Sequence, residues 1–241
     1  MKILENMTQQ IFKEAGMEAT YDLFTLKTQC MTFFNYAYLG IDKTSRKAFV
    51  VDPSWDVSQM IRILESHDAS LEAVLLTHSH FDHTNMVKKL ERLYRPTVYI
   101  SKTEADYYKY RCNRLRTVED MDRIHIGDSA ITCLVTPGHT PGSVCYWGED
   151  HLFSGDTVFI EGCGLCDSDG GSAEDMFYSI HRLIRLIPPS AQVFPGHSFG
   201  DPPGKEMSYL YKKNLYFQID DINHFVKYRN RKNNARVFDF K

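Results

Sequence analysis

The chain has 241 residues, 43% hydrophobic and 24% charged, with a formal net charge of −3. That balance suits a soluble globular protein and gives no bulk attraction to nucleic acid or to anionic membrane. No apolar run approaches the roughly 20 residues of a membrane span, and Met1-Lys2-Ile3-Leu4-Glu5-Asn6 turns polar too soon for a secretory signal, so a cytoplasmic protein is expected.

Residues 1–20 read as a polar, partly helical lead-in. Residues 21–27, 32–40 and 47–52 read as strands, with Asp/Lys/Ser turn chemistry at 42–45. Val57, Met60, Ile61 and Leu64 fall at i, i+3, i+4 and i+7, the stripe of an amphipathic helix. The aliphatic run 71–76 predicts a buried strand, and Met86, Leu90 and Leu93 mark a helix after it. Strands are expected at 97–100, 130–136, 144–147 and 151–153. Met176, Phe177, Ile180, Leu183, Ile184 and Ile187 form a long stripe, opened by Ser172 with Asp175 at capping spacing and closed by Pro188-Pro189. Two groups of strands, each followed by helices, predict an α/β fold with two sheets face to face and helices outside. A single domain over 1–241 is expected. From about 206 it ends in a short helical segment rich in Tyr, Phe, Lys and Arg.

The chemistry concentrates where strands end. Thr77-His78-Ser79-His80-Phe81-Asp82-His83 places three imidazoles and a carboxylate in one turn straight after the 71–76 run. Rigid backbone of that kind is what a preorganised site requires. Three more strand ends repeat the device: Thr136-Pro137-Gly138-His139, Phe153-Ser154-Gly155-Asp156 and Val193-Phe194-Pro195-Gly196-His197. Each alone is weak, but together they predict convergence on one place. Imidazole and carboxylate without thiolate suit Zn²⁺, and also Fe or Mn. Cys163-Gly164-Leu165-Cys166 spells C-x-x-C without a second copy. In a chain of this size without export, the six cysteines are expected to be free thiols rather than disulfides. A redox pair or half a zinc knuckle is the lesser alternative.

Residues 28–214 resemble the metallo-β-lactamase superfamily and, within it, the glyoxalase II-like hydrolases. The most specific stretches are 153–164 and 171–176. The resemblance implies an αββα sandwich and two metals. His78, His80 and His139 would bind the first, Asp82, His83 and His197 the second, and Asp156 would bridge them. Asp52, in Val50-Val51-Asp52-Pro53, matches an Asp that supports the site from behind. A helix-initiating Asp-Pro turn is the equal alternative. Two metals roughly 3.5–4 Å apart clamp attacking and leaving oxygens and lower the pKa of water towards about 7. No Ser, Cys or His nucleophile is then needed. Asp82 would ligate a metal and take a proton from that water.

The sequence also departs from glyoxalase II. Thr84-Asn85 follows His83 where a small residue and Gly are usual, and Leu165-Cys166-Asp167 stands where Lys and aromatics help hold glutathione. The chain after His197 is also shorter. The overall pattern looks closest to the zinc-dependent hydrolases of bacterial polyketide biosynthesis clusters. The expected reaction is therefore hydrolysis of an acyl thioester, with an acyl carrier protein or a small-molecule thioester as partner. A hydroxyacylglutathione hydrolase, a lactonase or a β-lactamase would use the same chemistry on another substrate. A mononuclear iron dioxygenase acting on glutathione persulfide is the reading from a different class. Neither a basic excess nor a recognised aromatic-basic module favours the RNA-processing nucleases of the superfamily.

Overall fold

The computed structural model describes residues 19–31 and 33–231, with Phe33 described by its backbone alone. The expected lead-in, apart from its last two residues, lies outside the described residues, as does Thr32. The first sheet runs β1 (Tyr21–Cys30), β2 (Phe33–Asp42), β3 (Lys47–Val51), β4 (Ser70–Leu75), β5 (Thr97–Ser101) and β6 (Leu115–Val118), side by side in chain order. β1 to β3 pair antiparallel, then β3 to β6 pair parallel. The parallel pairs need crossovers, and α1 (Ser58–Ser66), α3 (Val87–Leu93) and α4 (Lys102–Tyr107) lie within them. Between β4 and α3 lies α2 (Phe81–Thr84), a single turn inside the His-rich motif.

The second sheet holds β7 (Arg123–Ile126), β8 (Ser129–Val135), β9 (Val144–Gly148), β10 (His151–Gly155), β11 (Gln192–Pro195) and β12 (Lys205–Glu206) in spatial order 7-8-9-10-11-12. Only β10 and β11 run parallel, joined through α5 (Ala173–Leu186). Ser172 Oγ accepts from the Asp175 N–H at 3.1 Å, the cap read from the sequence. Ile187 leaves the helix in extended backbone, as a residue before Pro188 must. α6 (Met207–Lys213), a 3₁₀ turn (Leu215–Gln218) and α7 (Ile222–Arg229) complete the described chain.

Three apolar layers follow. Between the sheets lie Tyr38, Phe49, Leu75, Ile131, Tyr146, Phe153 and Phe194. The outer face of the first sheet packs Leu39, Val50 and Val74 against Met60, Leu64 and Leu90. The outer face of the second packs Leu134, Leu152 and Val193 against Met176, Ile180 and Leu183, and the terminal helices add Met207, Leu210 and Phe225. This is the predicted αββα sandwich. The sheets are tied together at the ends that carry the site. Tyr146 Oη donates to the Leu76 carbonyl (2.9 Å) and Tyr38 Oη to that of Pro195 (2.5 Å). The Val144 N–H donates to the Thr77 carbonyl and the Tyr36 N–H to that of Gly196.

Away from the site, Asp42 closes the sandwich. Its carboxylate, buried at the end of β2, accepts from Ser45 N–H and Oγ and from the Asp128 N–H, the Ser129 N–H and Ser129 Oγ across the gap. Burial pushes its pKa up, but the bonds from Ser45 and Ser129 outweigh that and hold it at about 2. Asp42→Ala orphans the buried Ser129 N–H and Oγ, and calorimetric unfolding is expected to show a loss of about 2 kcal/mol. A folded pKa below the usual 3.8 makes the wild-type contribution complete above about pH 4 and progressively lost towards about pH 2. An acid-unfolding profile unchanged by Asp42→Ala would remove this role.

Candidate metal centre

Every predicted ligand lies at the C-terminal end of a strand or in the loop that follows one. β4 delivers His78, His80, Asp82 and His83, the β8–β9 loop His139, the end of β10 Asp156, and the end of β11 His197. His78 Nε2 and His139 Nε2 each lie 3.0 Å from His80 Nδ1. Nitrogens bound to one zinc at 2.0–2.1 Å in tetrahedral geometry would stand about 3.3 Å apart, so this trio forms a near-complete cup. The second group is as tight. His83 Nε2 and His197 Nε2 are 3.3 Å apart, and Asp82 Oδ2 lies 3.5 Å from the former and 3.2 Å from the latter.

Asp156 stands between the groups, its oxygens 3.5 Å from His83, 3.7 Å from His139 and 3.5 Å from His197. Its Oδ1 is buried and has no hydrogen-bond partner. An ionised oxygen left so in a protein interior is costly unless a cation meets it. That orphan atom and the crowded imidazole nitrogens fit two metal ions.

Glycines let the two halves close. Gly155 turns at φ +48°, where a Cβ would lie 2.3 Å from Thr77 Oγ1. A Cβ on Gly196 would lie 2.6 Å from both Asp156 Oδ1 and the His83 ring.

The imidazoles are aimed from behind. His83 Nδ1 meets Asp52 Oδ2 (3.0 Å), His139 Nδ1 the Leu165 carbonyl (2.6 Å), and His197 Nδ1 the Phe34 carbonyl (2.8 Å). Asp52 also accepts from the Thr77 N–H (2.8 Å) and Oγ1 (2.6 Å). The alternative for Asp52, a helix-initiating turn, does not hold. α1 starts later, at Ser58, with no side-chain cap.

Residues 33–197 match the Metallo-beta-lactamase superfamily. The chain belongs to that superfamily. Among curated metallo-β-lactamase relatives it is 48% identical to "Probable polyketide biosynthesis zinc-dependent hydrolase PksB" of Bacillus subtilis, over 93% of this chain and 100% of that protein. It is 47% identical to the BaeB protein of the same description from Bacillus velezensis, with the same coverage. The cytoplasmic hydroxyacylglutathione hydrolase of Saccharomyces cerevisiae is 30% identical over 68% of this chain and 64% of its own length. Among solved structures, a metallo-β-lactamase from Staphylococcus aureus superposes with TM-score 0.80 at 25% identity, covering 90% of this chain and 69% of that one. TTHA1623, solved in a di-iron-bound form, gives 0.65 at 26% identity over 79% of this chain and 99% of its own.

Within the metallo-β-lactamase frame, residues that sequence reasoning missed hold the ligand loops. Buried Glu104 accepts from Ser79 N–H (2.8 Å) and Oγ (2.7 Å) and from the Gly142 N–H (3.2 Å), binding the His-rich turn to the His139 loop. Its signal was Ser101-Lys102-Thr103-Glu104, a capping pattern after an apolar strand. Ser101 Oγ does accept from the Glu104 N–H, while the Glu carboxylate reaches elsewhere. Asn35 Nδ2 donates to the Asp82 carbonyl and to Oδ2 (3.1 and 3.0 Å), and Trp55 Nε1 donates to Asn35 Oδ1. Asn85, which departs from the glyoxalase II pattern, accepts from the Trp55 N–H through Oδ1.

Cys163 and Cys166 are free and buried, and burial raises both thiols, Cys166 to about 12. Arg229, at the end of α7, lies beside them and donates to Tyr216 Oη (2.8 Å). Such high thiol pKa values fit packing rather than redox exchange.

The two clusters differ in charge. Burial, reinforced by neighbouring imidazoles, drives His78 well below its ordinary pKa, and His80 below it. Burial also opposes charge on His83 and His197, but there Asp156 and the other carboxylates outweigh it, lifting His197 to about 9. Burial pushes the Asp82 carboxyl up. Bonding to His197, the nearby His83 and Asn35 win, and it stays well below the carboxylate range. Ligands bind metal deprotonated. In the metal-free chain at pH 7 His78 and His80 are therefore neutral, while His197, lifted to about 9, keeps a proton 3.3 Å from His83 Nε2. Calorimetric zinc titration is expected to show a group at His78 and His80 whose affinity rises less steeply with pH above 7 than that of the group at His83 and His197. The second should tighten about tenfold per pH unit between 7 and 9 with proton release. Equal sites without proton release would contradict this.

Proposed function

We propose that the chain is a dinuclear zinc hydrolase of acyl thioesters, acting on an intermediate carried by an acyl carrier protein in polyketide biosynthesis. The observation that carries the two-metal reading is the buried, unpartnered Asp156 Oδ1 between two complete three-ligand groups. The names of relatives at 47–48% identity over their whole length support the biosynthetic setting. His78, His80 and His139 would hold one ion, Asp82, His83 and His197 the other, with Asp156 shared.

Bound there, the ions would polarise the acyl carbonyl and bring the pKa of water towards about 7. The protein's own part is orientation. Asp82, kept ionised by His197 and Asn35, accepts a hydrogen bond from the attacking water and receives its proton. The leaving thiol has a pKa of about 8.5 and departs as thiolate without an acid beside it. A thioester therefore suits a site whose titratable groups are spent on holding cations.

The carrier preference rests on charge. Glutathione brings two carboxylates and calls for fixed cationic partners. The loop beside His139 offers exposed Leu165, Asp167 and Asp169 instead. Of the basic residues in the C-terminal segment, Lys212, Lys213 and Arg231 are exposed, Arg231 with its guanidinium over the Tyr228 ring at 5.0 Å, and would meet an acidic carrier surface. Arg229 is taken up by Tyr216. For one acyl group on carrier protein, pantetheine and glutathione, kcat/KM is expected to be highest on the carrier and to fall with salt. Elemental analysis of the metal-loaded protein should give two ions per chain. A tenfold or greater preference for glutathione would return the reading to hydroxyacylglutathione hydrolysis. A single iron per chain would favour the dioxygenase class.

A further inference from the structure

We infer that Phe34, Phe81, Leu165 and Phe199 form an apolar rim around the metal centre that binds the acyl group, and that this group is an extended apolar chain. The inference rests on the thioesterase reading and names its substrate class.

These side chains are unusual in being both exposed and anchored. Phe81 is 72% exposed, Leu165 51%, Phe199 47% and Phe34 40%. Phe34, Leu165 and Phe81 are one link from a predicted metal ligand, and Phe199 is two. Phe34 gives its carbonyl to His197 Nδ1, and Leu165 gives its carbonyl to His139 Nδ1. Phe81 sits between His80 and Asp82. Phe199 stacks on Phe159 at 4.7 Å, and Phe159 lies edge-on to His197 at 6.1 Å. Leu165 thus borders the first ligand group, Phe34 and Phe199 the second, and Phe81 the turn that serves both.

A singly exposed apolar residue needs no explanation, whereas several gathered around a concave polar centre mark a binding surface. Phe34 and Leu165 are held through the carbonyls they give to His197 and His139, Phe81 packs edge-on to Trp55 at 6.0 Å and Phe199 on Phe159, so the rim is preformed and loses little entropy on binding. Lys27 packs its Nζ over the Phe34 ring at 4.5 Å, so its charge is directed onto an aromatic face. An apolar chain leaving a carbonyl held at the metals would cross this rim in either direction.

Straight-chain acyl-pantetheine thioesters from two to twelve carbons test the inference, alongside their non-hydrolysable thioether analogues. Full burial of a methylene corresponds to about fourfold, so on a half-open rim kcat/KM is expected to rise roughly twofold to fourfold per methylene before levelling. Calorimetric Kd values for the thioethers, measured with and without metal, should tighten in the same series. The pair Leu165→Ser and Phe199→Ser should cut the ratio between longest and shortest chains at least tenfold. A flat chain-length dependence in the thioether Kd values overturns the rim, as does a series that the double variant leaves unchanged. If no thioester is hydrolysed but the Kd values still tighten with length, the rim stands and the thioesterase reading falls.

Discussion

Asp156→Ala is expected to lose metal and turnover together. The carboxylate is 8% exposed and lies within 3.7 Å of imidazoles from both groups. With both ions bound, it would be the negative charge between two divalent cations. Two unit charges 4 Å apart already repel by about 4 kcal/mol at an effective dielectric of 20, and divalent ions repel more. Truncation therefore leaves two sites that cannot both fill tightly. Losing a partner that only orients a ligand typically costs 10–100-fold in metal affinity or activity. The loss here is expected to exceed 100-fold in kcat/KM, with fewer than two ions retained per chain after dialysis. Circular dichroism should stay native, because Asp156 Oδ1 accepts no hydrogen bond from the protein. Two retained ions with near-normal turnover would take Asp156 out of the centre.

The residues that gather at the site were legible because each follows an apolar strand in a turn whose composition serves no packing purpose. A run such as 71–76 must be buried, so what ends it is held on rigid backbone at a sheet edge. The stripe of α5 was legible for the same reason, with period 3.6 sustained over three turns. β6 and β7 were not. Leu115–Val118 has only four residues, and its place beside β5 is set by pairing with Val98 and Ile100. Arg123–Ile126 does alternate, Ile124 and Ile126 inward, but over too short a span to stand out. α4, at six residues, is too short to show a stripe.

The groups behind the ligands were hidden for another reason. Glu104 reaches 25 residues back to Ser79, and Asn35 reaches 47 residues forward to Asp82. Nothing local in either sequence announces those partners. The same holds for Arg229, which packs beside Cys163. Local pattern reveals which residues carry chemistry. Which residues aim them depends on where distant turns meet once the sheets have packed.

Asp52 tests that distinction most sharply, because it touches no substrate-facing atom and binds three groups of the site. It is 2% exposed, accepts from Thr77 N–H and Oγ1, and meets His83 Nδ1 at 3.0 Å. Its backbone sits at φ 46°, a region that Asn tolerates and Ala enters at a cost of about 1–2 kcal/mol. Asp52→Asn therefore removes the charge while keeping the backbone and an oxygen for the Thr77 N–H. The new amide then stands where Oδ2 was and faces both Thr77 Oγ1 and His83 Nδ1. Removing one partner of a buried charged pair typically costs about 3–5 kcal/mol. The metal-free Ala variant is expected to lose stability in that range, and the Asn variant roughly half as much. Both should weaken the second site 10–100-fold, the usual cost of losing the group that aims a metal-binding imidazole. The first site should be less affected, since His80 and His139 make no contact with Asp52. Competition with a chelator, read as two separate Kd values, measures this. Equal weakening of both sites would mean that Asp52 acts through the Thr77 strand end. An unchanged second site would mean that His83 is aimed by its packing alone.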